Sequence, residues 1–189
     1  MLLTPVSELD AVNEIISAMG EAPVNTLDEV NNVDVINAIR ILRGVNRRIQ
    51  SKAWSFNTID SYTLNPDIFT KRIAWSDNFL FIKGTDGTKY TKRGDYVLNF
   101  DTQSEIFDAA ITVEAVLLVP FEDMPEAARN YITAKASKQF QTRYLGDAAL
   151  TEELARDEMA AWQELQEYEL DLNNYNVLQF TGVQQLLQR

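Results

Sequence analysis

Apolar residues recur with helical spacing in two consecutive stretches of the C-terminal half of the chain. In the first stretch they return every four positions from Ala128 to Phe140, which places them on one face of a helix. Gly146 is a residue type that commonly ends a helix, and Asp147 or Thr151 can cap the helix that follows. The second stretch is apolar on one face and acidic on the other. The pattern predicts a helical hairpin whose apolar stripe must be covered by the rest of the chain.

The N-terminal part of the chain has the same periodicity in two further stretches, near residues 4–19 and 33–53. Ser7 and Asp10 have the spacing of a capping box at the start of the first predicted helix. A polar connector rich in Asn and Asp separates this helix from the second. Since amphipathic helices bury their apolar faces against other elements, we expect these two helices to complete a bundle with the C-terminal hairpin.

The helical period disappears between the two helical parts. From Ser55 to Val119, short segments rich in β-branched and aromatic residues alternate with turn signals. Asp86-Gly87, between two such segments, is a strong hairpin signal. The predicted strands lie near residues 56–64, 72–75, 79–83, 90–93, 96–100 and 111–119.

The order of these elements predicts an α+β fold. An antiparallel four-helix, bundle-like domain would carry an inserted antiparallel β-sheet or barrel. The helical domain would consist of two N-terminal helices in residues 1–53 and a C-terminal hairpin in residues 120–172. The inserted β domain would cover residues 54–119, and residues 173–189 would form an extended apolar tail.

The tail contains more apolar residues than solubility favours. Two interpretations remain open for it: docking on a partner or a neighbouring subunit, or packing on its own domain. The residues that could dock are Tyr175, Leu178, Phe180, Leu186 and Leu187.

The chain contains neither histidine nor cysteine among its 189 residues. A Ser-His-Asp triad, a Cys-His dyad, a histidine-ligated zinc site and a disulfide are therefore impossible within it. It has no phosphate-binding glycine loop, no calcium-loop motif and no apolar run long enough to span a bilayer. We predict no catalytic, cofactor-binding or metal-ligating residues, no cofactor and no membrane anchor.

The formal net charge of −11 bears on the class of partner. Non-specific DNA binding requires a basic patch that neutralises phosphates, so the excess of acid argues against it. The charge is compatible with an acidic wall that DNA passes without binding. Paired carboxylates could also hydrolyse glycosidic bonds, so a glycoside hydrolase is an alternative to a structural protein. The acids of the last predicted helix recur opposite its apolar stripe, which favours a charged surface.

Three arginines on the second predicted helix form a basic stripe beside its apolar face. They form either a solvated basic face or a contact with the acidic last helix, in the same chain or in a neighbouring copy. The candidate interface residues on the two helices are Arg40, Arg43, Arg47, Glu153, Asp157 and Glu164.

Several long motifs resemble, in the same order, those of the tail tubular protein A family of T7-like podoviruses. The most specific is MPEAARNYITAKASKQF at residues 124–140, followed by Arg143 and Gly146. Because the matching stretches extend over nearly the whole chain, they are more specific than a single short signature. The other matching stretches are residues 11–16, 20–27, 45–57 and 107–113.

This resemblance implies a structural virion protein, the head-to-tail adaptor or gatekeeper of a short-tailed phage, made in the host cytoplasm and located in the virion tail. It implies a homo-oligomeric, twelve-fold ring between the portal protein and the tail nozzle, tail tubular protein B, with a tail fibre near that junction. Double-stranded DNA would pass through the ring during ejection without specific binding. The apolar tail is then expected to dock on the portal or an adjacent subunit. The glycoside hydrolase alternative would be a second activity on host surface or wall polysaccharide.

Overall fold

The chain has the α+β architecture that the sequence predicts. The computed structural model describes residues 7–28 and 31–172. Helices occupy both ends of this part of the chain, and within it no helix combines the length and the apolar character needed to cross a membrane. The elements are α1 (Glu8–Ser17), α2 (Val33–Gln50), β1 (Thr58–Leu64), β2 (Phe79–Gly84), β3 (Tyr90–Arg93), β4 (Tyr96–Asn99), β5 (Ile111–Leu117), a short 3-10 helix (Phe121–Asp123), α3 (Glu126–Tyr144) and α4 (Ala148–Leu172).

Backbone contacts divide the chain into two compact units. The helical unit contains α1, the part of α2 up to Leu42, and α3 and α4. The β unit is Arg43–Met124 and contains the end of α2, all five strands and the short 3-10 helix. The domain boundaries predicted after residues 53 and 119 lie inside the β unit and stay a prediction.

The core of the helical unit forms around α3. This helix packs against both α1 and α4. The apolar stripe predicted from Ala128 to Phe140 is fully buried, with 0% exposure at both of these ends. An apolar stripe along one side of a helix normally faces the core of a globular protein. The burial of this stripe therefore explains why apolar residues recur at four-residue intervals in α3. The other helices contribute the fully buried residues Val12, Ile15, Ile16, Val35, Ala38 and Leu165.

Side-chain caps determine where two of the helices begin. The Ser7 hydroxyl accepts the backbone N–H of Asp10, and the Asp10 carboxylate accepts the Ser7 N–H in return, so the predicted capping box is confirmed. Helix α1 is nevertheless shorter than predicted and ends at Ser17. The Asp147 carboxylate accepts the N–H of Leu150 at 2.9 Å, which confirms Asp147 as the cap of α4.

The turn between α3 and α4 is held from both sides. Gly146 has a φ of 74°, a left-handed conformation that glycine adopts without strain. Its N–H donates to the carbonyl of Gln141 at 2.9 Å. The buried Gln141 amide donates to the Asp147 carbonyl at 2.8 Å and accepts the Thr151 hydroxyl at 2.6 Å. The predicted stop at Gly146 is therefore confirmed, and a buried amide fixes the direction in which α4 departs.

The β unit contains two antiparallel sheets around one apolar core. The larger has the strand order β1-β5-β2, and the smaller pairs β3 with β4. At the predicted Asp86-Gly87 turn, Gly87 has a φ of 91°, and the N–H of Gly84 donates to the carbonyl of Thr88 at 2.8 Å. The core residues of the two sheets and their connections are Leu64, Ile73, Phe79, Ile82, Val97, Phe107, Val113 and Ala115.

The prediction of a strand at residues 72–75 is wrong. This segment makes an isolated bridge between Ala74 and Tyr96, and the carbonyl of Ile73 accepts the N–H of Val97 at 2.9 Å. Lys71 has a φ of 57°, and a turn at residues 76–79 follows immediately. The extended run between these two turns is too short for a continuous ladder, although its β-branched and aromatic residues have strand character.

Two buried amide side chains connect the end of α2 to the sheet within the β unit. Gln50 donates to the carbonyl of Val119 at 2.9 Å and accepts the N–H of the same residue at 2.8 Å. Asn57 donates to the carbonyls of Gln50 and Leu117 at 2.9 and 2.8 Å. The indole of Trp54 donates to the carbonyl of Ile49 at 2.8 Å. Because buried polar groups are costly when unpaired, these bonds fix the path of the chain from helix to sheet.

Candidate interaction surfaces

The acids predicted on the outer face of α4 are solvent-exposed. Glu153, Asp157 and Glu164 are separated by four and seven residues, the spacing that keeps side chains on one face of a helix. Two further exposed acids, Glu167 and Asp171, continue the series. These five residues form a surface that we call the α4 acidic stripe, and it runs along most of the helix.

One end of the α4 acidic stripe interacts with α1. Desolvation raises the pKa of Glu14, a residue of α1, and the negative charge of Asp157 raises it further. The negative charge of Asp157 therefore lies close enough to Glu14 to disfavour its ionised form. The exposed acids of the α4 acidic stripe give this side of the helix an anionic surface.

Arg40, one of the three arginines predicted as interface residues, has hydrogen-bond partners within the helical unit. Its guanidinium donates to the side chain of Asn37 at 3.2 Å and to the Tyr144 hydroxyl at 3.3 Å. Arg43 and Arg47 are exposed on α2. The contact of these arginines with the acids of α4, within a subunit or between copies, stays a prediction.

An open cleft of about 300 Å³ lies along α3 and α4, and sequence reasoning did not find it. The Glu158 carboxylate lies between two lysines of α3: it pairs with Lys135 and accepts from Lys138 at 2.9 Å. We call this surface the basic cleft. Its basic residues follow one another at intervals of three to five along α3, which was a detectable signal, whereas Glu158 could not be told apart from the other acids of α4. The lining residues are Lys135, Lys138, Gln139, Thr142, Arg143 and Glu158.

Hydrogen bonding in the basic cleft favours the ionised forms of Lys135 and Glu158. Partial burial acts to lower the pKa of Lys135, but hydrogen bonds to Glu158 and Tyr131 outweigh it and raise the pKa. Burial acts to raise the pKa of Glu158, but the bonds from Lys135 and Lys138 outweigh it and lower the pKa. The pair is therefore ionised over a wide pH range around neutrality.

The basic cleft does not supply the chemistry of the glycosidase alternative. Glycoside hydrolysis uses two carboxyl groups on opposite sides of the scissile bond. The cleft contains a single carboxylate, Glu158, and two lysines occupy it. Across the ranges 7–28 and 31–172, no group of three or more acidic residues is arranged to hold a metal ion.

A turn in the β unit presents two bare apolar side chains that sequence reasoning missed. Ile68 is 81% exposed and Phe69 is 91% exposed. The Asp67 carboxylate accepts the N–H groups of Phe69 and Thr70 at 3.1 and 2.7 Å, and the Thr70 hydroxyl at 2.9 Å. These bonds lower the pKa of Asp67, with the bonds from Thr70 as the largest cause. The apolar pair therefore projects from a hydrogen-bonded turn.

The tail residues predicted to dock lie outside the described residues. The prediction for Tyr175, Leu178, Phe180, Leu186 and Leu187 is therefore carried forward without a structural account.

The fold and these surfaces define a class of protein: an acidic α+β protein that presents charged and apolar contact surfaces on two structural units. Comparison with known proteins gives the family. The family model described as "Tail tubular protein" matches residues 9–175. The chain is also similar to the tail tubular protein A of Klebsiella phage KP34, at 29% identity over 141 residues, which are 74% of this chain and 74% of that protein.

Because the family model matches most of the chain, the protein belongs to the tail tubular protein family. The resemblance found in the sequence motifs is thereby confirmed. The protein is a structural component of the virion tail of a bacteriophage and assembles with other tail components.

Proposed function

We propose that the protein is the head-to-tail adaptor of a short-tailed phage, forming a homo-oligomeric ring of twelve copies between the portal and the tail nozzle. Membership of the tail tubular protein family is the observation that carries this proposal. A subunit of such a ring needs two different lateral surfaces, because each copy contacts one neighbour on either side. The oppositely charged surfaces on α2, α3 and α4 support this arrangement.

The same ring would line the channel through which DNA leaves the virion. A net charge of −11 repels the phosphate backbone, and acidic residues of the ring are proposed to line the channel. DNA would then pass without being held. Tight binding of duplex DNA by the protein at physiological salt, measured by fluorescence anisotropy, would contradict this part of the proposal.

Electron microscopy of the purified protein mixed with its portal tests the adaptor role. Closed rings of twelve copies stacked on the portal are the expected result, and addition of the nozzle protein should extend the stack on the opposite face. The matched control is the portal without the adaptor, which should not recruit the nozzle. Absence of any ring on the portal would overturn the proposal.

The tail segment is proposed to dock on the portal or on an adjacent subunit through its apolar residues. A chain that ends before Tyr175 keeps all the described core residues, so it should fold. It should lose attachment to the portal in the same electron microscopy assay. Normal attachment of the shortened chain would contradict the role of the tail and leave the ring proposal intact.

The basic stripe of three arginines on α2 is proposed as one of the lateral surfaces. Replacement of Arg40, Arg43 and Arg47 by Glu should reduce stability or ring formation, because it brings like charges together at the contact. Unchanged thermal stability together with unchanged assembly would remove these residues from the interface.

A further inference from the structure

The basic cleft carries an excess of positive charge on a strongly acidic protein. Three cationic side chains and a single carboxylate line it, whereas the chain as a whole has a net charge of −11. Lys135 and Lys138 hold Glu158. The exposed side chain of Arg143 makes no hydrogen bond or ion pair with any residue that the structure describes. The cleft therefore has an unused guanidinium next to two lysines, which is suited to an acidic side chain from outside the subunit.

The subunit has an acidic surface of its own but cannot place it in the cleft. Glu158 faces α3, and a helix advances by about 100° per residue. Asp157 and Glu164 consequently lie roughly a third of a turn away from Glu158 around α4. Helix α4 already faces the α3 side of the cleft with Glu158, and the acidic stripe lies on a different side of the same rigid helix. The α4 acidic stripe of a subunit therefore cannot reach the basic cleft of the same subunit. A second copy can bring the two together.

We propose that the basic cleft receives the α4 acidic stripe of a second copy of this chain, with Arg143 of one subunit paired to Glu164 of the next. The contact joins two different surfaces, which is the head-to-tail geometry of a closed ring. Arginine suits this position because its planar fork can bind a carboxylate through two parallel hydrogen bonds. The inference rests on the proposed ring and names one of its lateral contacts.

Reciprocal charge reversal tests the pairing. Arg143→Glu and Glu164→Arg both change exposed side chains, so each variant should fold, as circular dichroism can verify. Each variant alone juxtaposes like charges at every junction, and its self-assembly should weaken by about tenfold or more. An equimolar mixture restores an opposite-charge pair at every junction when the two variants alternate. Assembly should therefore recover in the mixture, as measured by mass photometry of the protein alone and electron microscopy on the portal.

Arg93→Glu is the matched control. Arg93 is an exposed arginine of β3, and its replacement gives the same change of charge. This variant should assemble like the wild type if the effect at Arg143 is local. A general effect of added negative charge would instead weaken the control and the test variant equally, and that result would overturn the proposal.

Each of the other outcomes also gives a definite result. Normal assembly of either reversed variant, or a mixture that fails to recover, overturns the pairing. If Arg143→Glu changes only portal attachment or duplex DNA binding, the cleft takes a different partner and the proposal is wrong. A wild-type protein that forms no ring, alone or on the portal, overturns the adaptor function as well. Wild-type rings that are insensitive to Arg143→Glu overturn the pairing alone.

Discussion

Helices α3 and α4 form one hairpin, yet they differ greatly in burial. Ten of the 19 residues of α3 are buried, so this helix is enclosed on most of its circumference. Helix α4 has 25 residues, but among the described residues it buries Ala161 and Leu165 alone. The difference separates two functions of a helix. The first helix organises the core, whereas the second buries two residues in the core and leaves many of its other residues exposed to solvent.

The buried face of α3 is wider than its apolar stripe because small polar residues are buried with it. The hydroxyl of Thr133 donates to the carbonyl of Arg129 at 2.9 Å. The hydroxyl of Ser137 donates to the carbonyl of Thr133 at 3.0 Å. Since each hydroxyl finds its acceptor in the preceding turn, these residues can be buried without an unpaired polar atom. Helix α4 has no need of this arrangement where it faces solvent.

The strongest test of the comparison is truncation of Phe140, a fully buried residue at the end of the α3 stripe. Phe140→Ala should lower the free energy of unfolding by about 3–5 kcal/mol, because it removes a large apolar side chain and leaves a cavity. Urea denaturation measures the change. Met159→Ala on α4, where the side chain is 64% exposed, is the control and should change stability by about 0.5 kcal/mol or less. Equal effects at the two positions would contradict the distinction between the helices.

The narrow buried face of α4 provides the second test. Leu165 is fully buried and Leu170, five residues later on the same helix, is 55% exposed. Leu165→Ala should cost about 2–4 kcal/mol in unfolding free energy, whereas Leu170→Ala should cost about 0.5 kcal/mol or less. The same urea denaturation measures both variants. A large loss of stability in the Leu170→Ala variant would show that α4 packs against the core over a wider face than its burial pattern indicates.

The sequence was sufficient for the framework of the hairpin and insufficient for its surfaces. The four-residue repeat in α3, the stop at Gly146 and the cap at Asp147 are local signals, and all three are confirmed. Met159 is an apolar residue of α4 that is nevertheless largely exposed. Periodicity shows which side chains share a face of a helix, but it does not show how much of that face a neighbouring element covers. The basic cleft depends on how α3 and α4 are aligned against each other. The hydrogen bond between Gln50 and Val119 joins residues that are far apart in the chain. A local sequence pattern can predict neither the alignment of the two helices nor this long-range hydrogen bond.

The ion pair between the two helices allows a pH test of intermediate size. The pKa of Glu158 is lowered below its ordinary value in the folded protein, so its stabilising contribution is present above that value and is lost as the pH falls through the folded pKa. Glu158→Gln should cost about 1 kcal/mol at pH 7, a modest value because both lysines are partly exposed to solvent. The difference from the wild type in urea denaturation should shrink as the pH falls below 4.5, the ordinary pKa of the group.

The control for this test is Glu152→Gln, since Glu152 pairs with Arg156 on the same helix and both side chains are largely exposed. This pair lies within α4 and does not connect it to α3, so its removal should have little effect at any pH. A Glu158→Gln variant as stable as the wild type at pH 7 would show that the lysines do not hold α4 against α3.

The smallest expected effect has the opposite sign and concerns the α4 acidic stripe. The pKa of Glu14 is raised by desolvation and by the charge of Asp157, so the ionised form is disfavoured in the folded protein. Because the folded protein binds this proton more tightly than the unfolded chain does, the cost is present above the folded pKa and disappears as the pH falls below the ordinary value. Glu14→Gln should therefore stabilise the protein at pH 7 by a few tenths of a kcal/mol, a small gain because solvent reaches part of the side chain and screens the repulsion. Thermal unfolding at pH 7 and at pH 4 measures the gain, which should shrink at the lower pH. A destabilised Glu14→Gln variant would mean that the Glu14 carboxylate has a favourable partner in the folded protein. The interaction between Glu14 and Asp157 would then not be the unfavourable one that the raised pKa indicates.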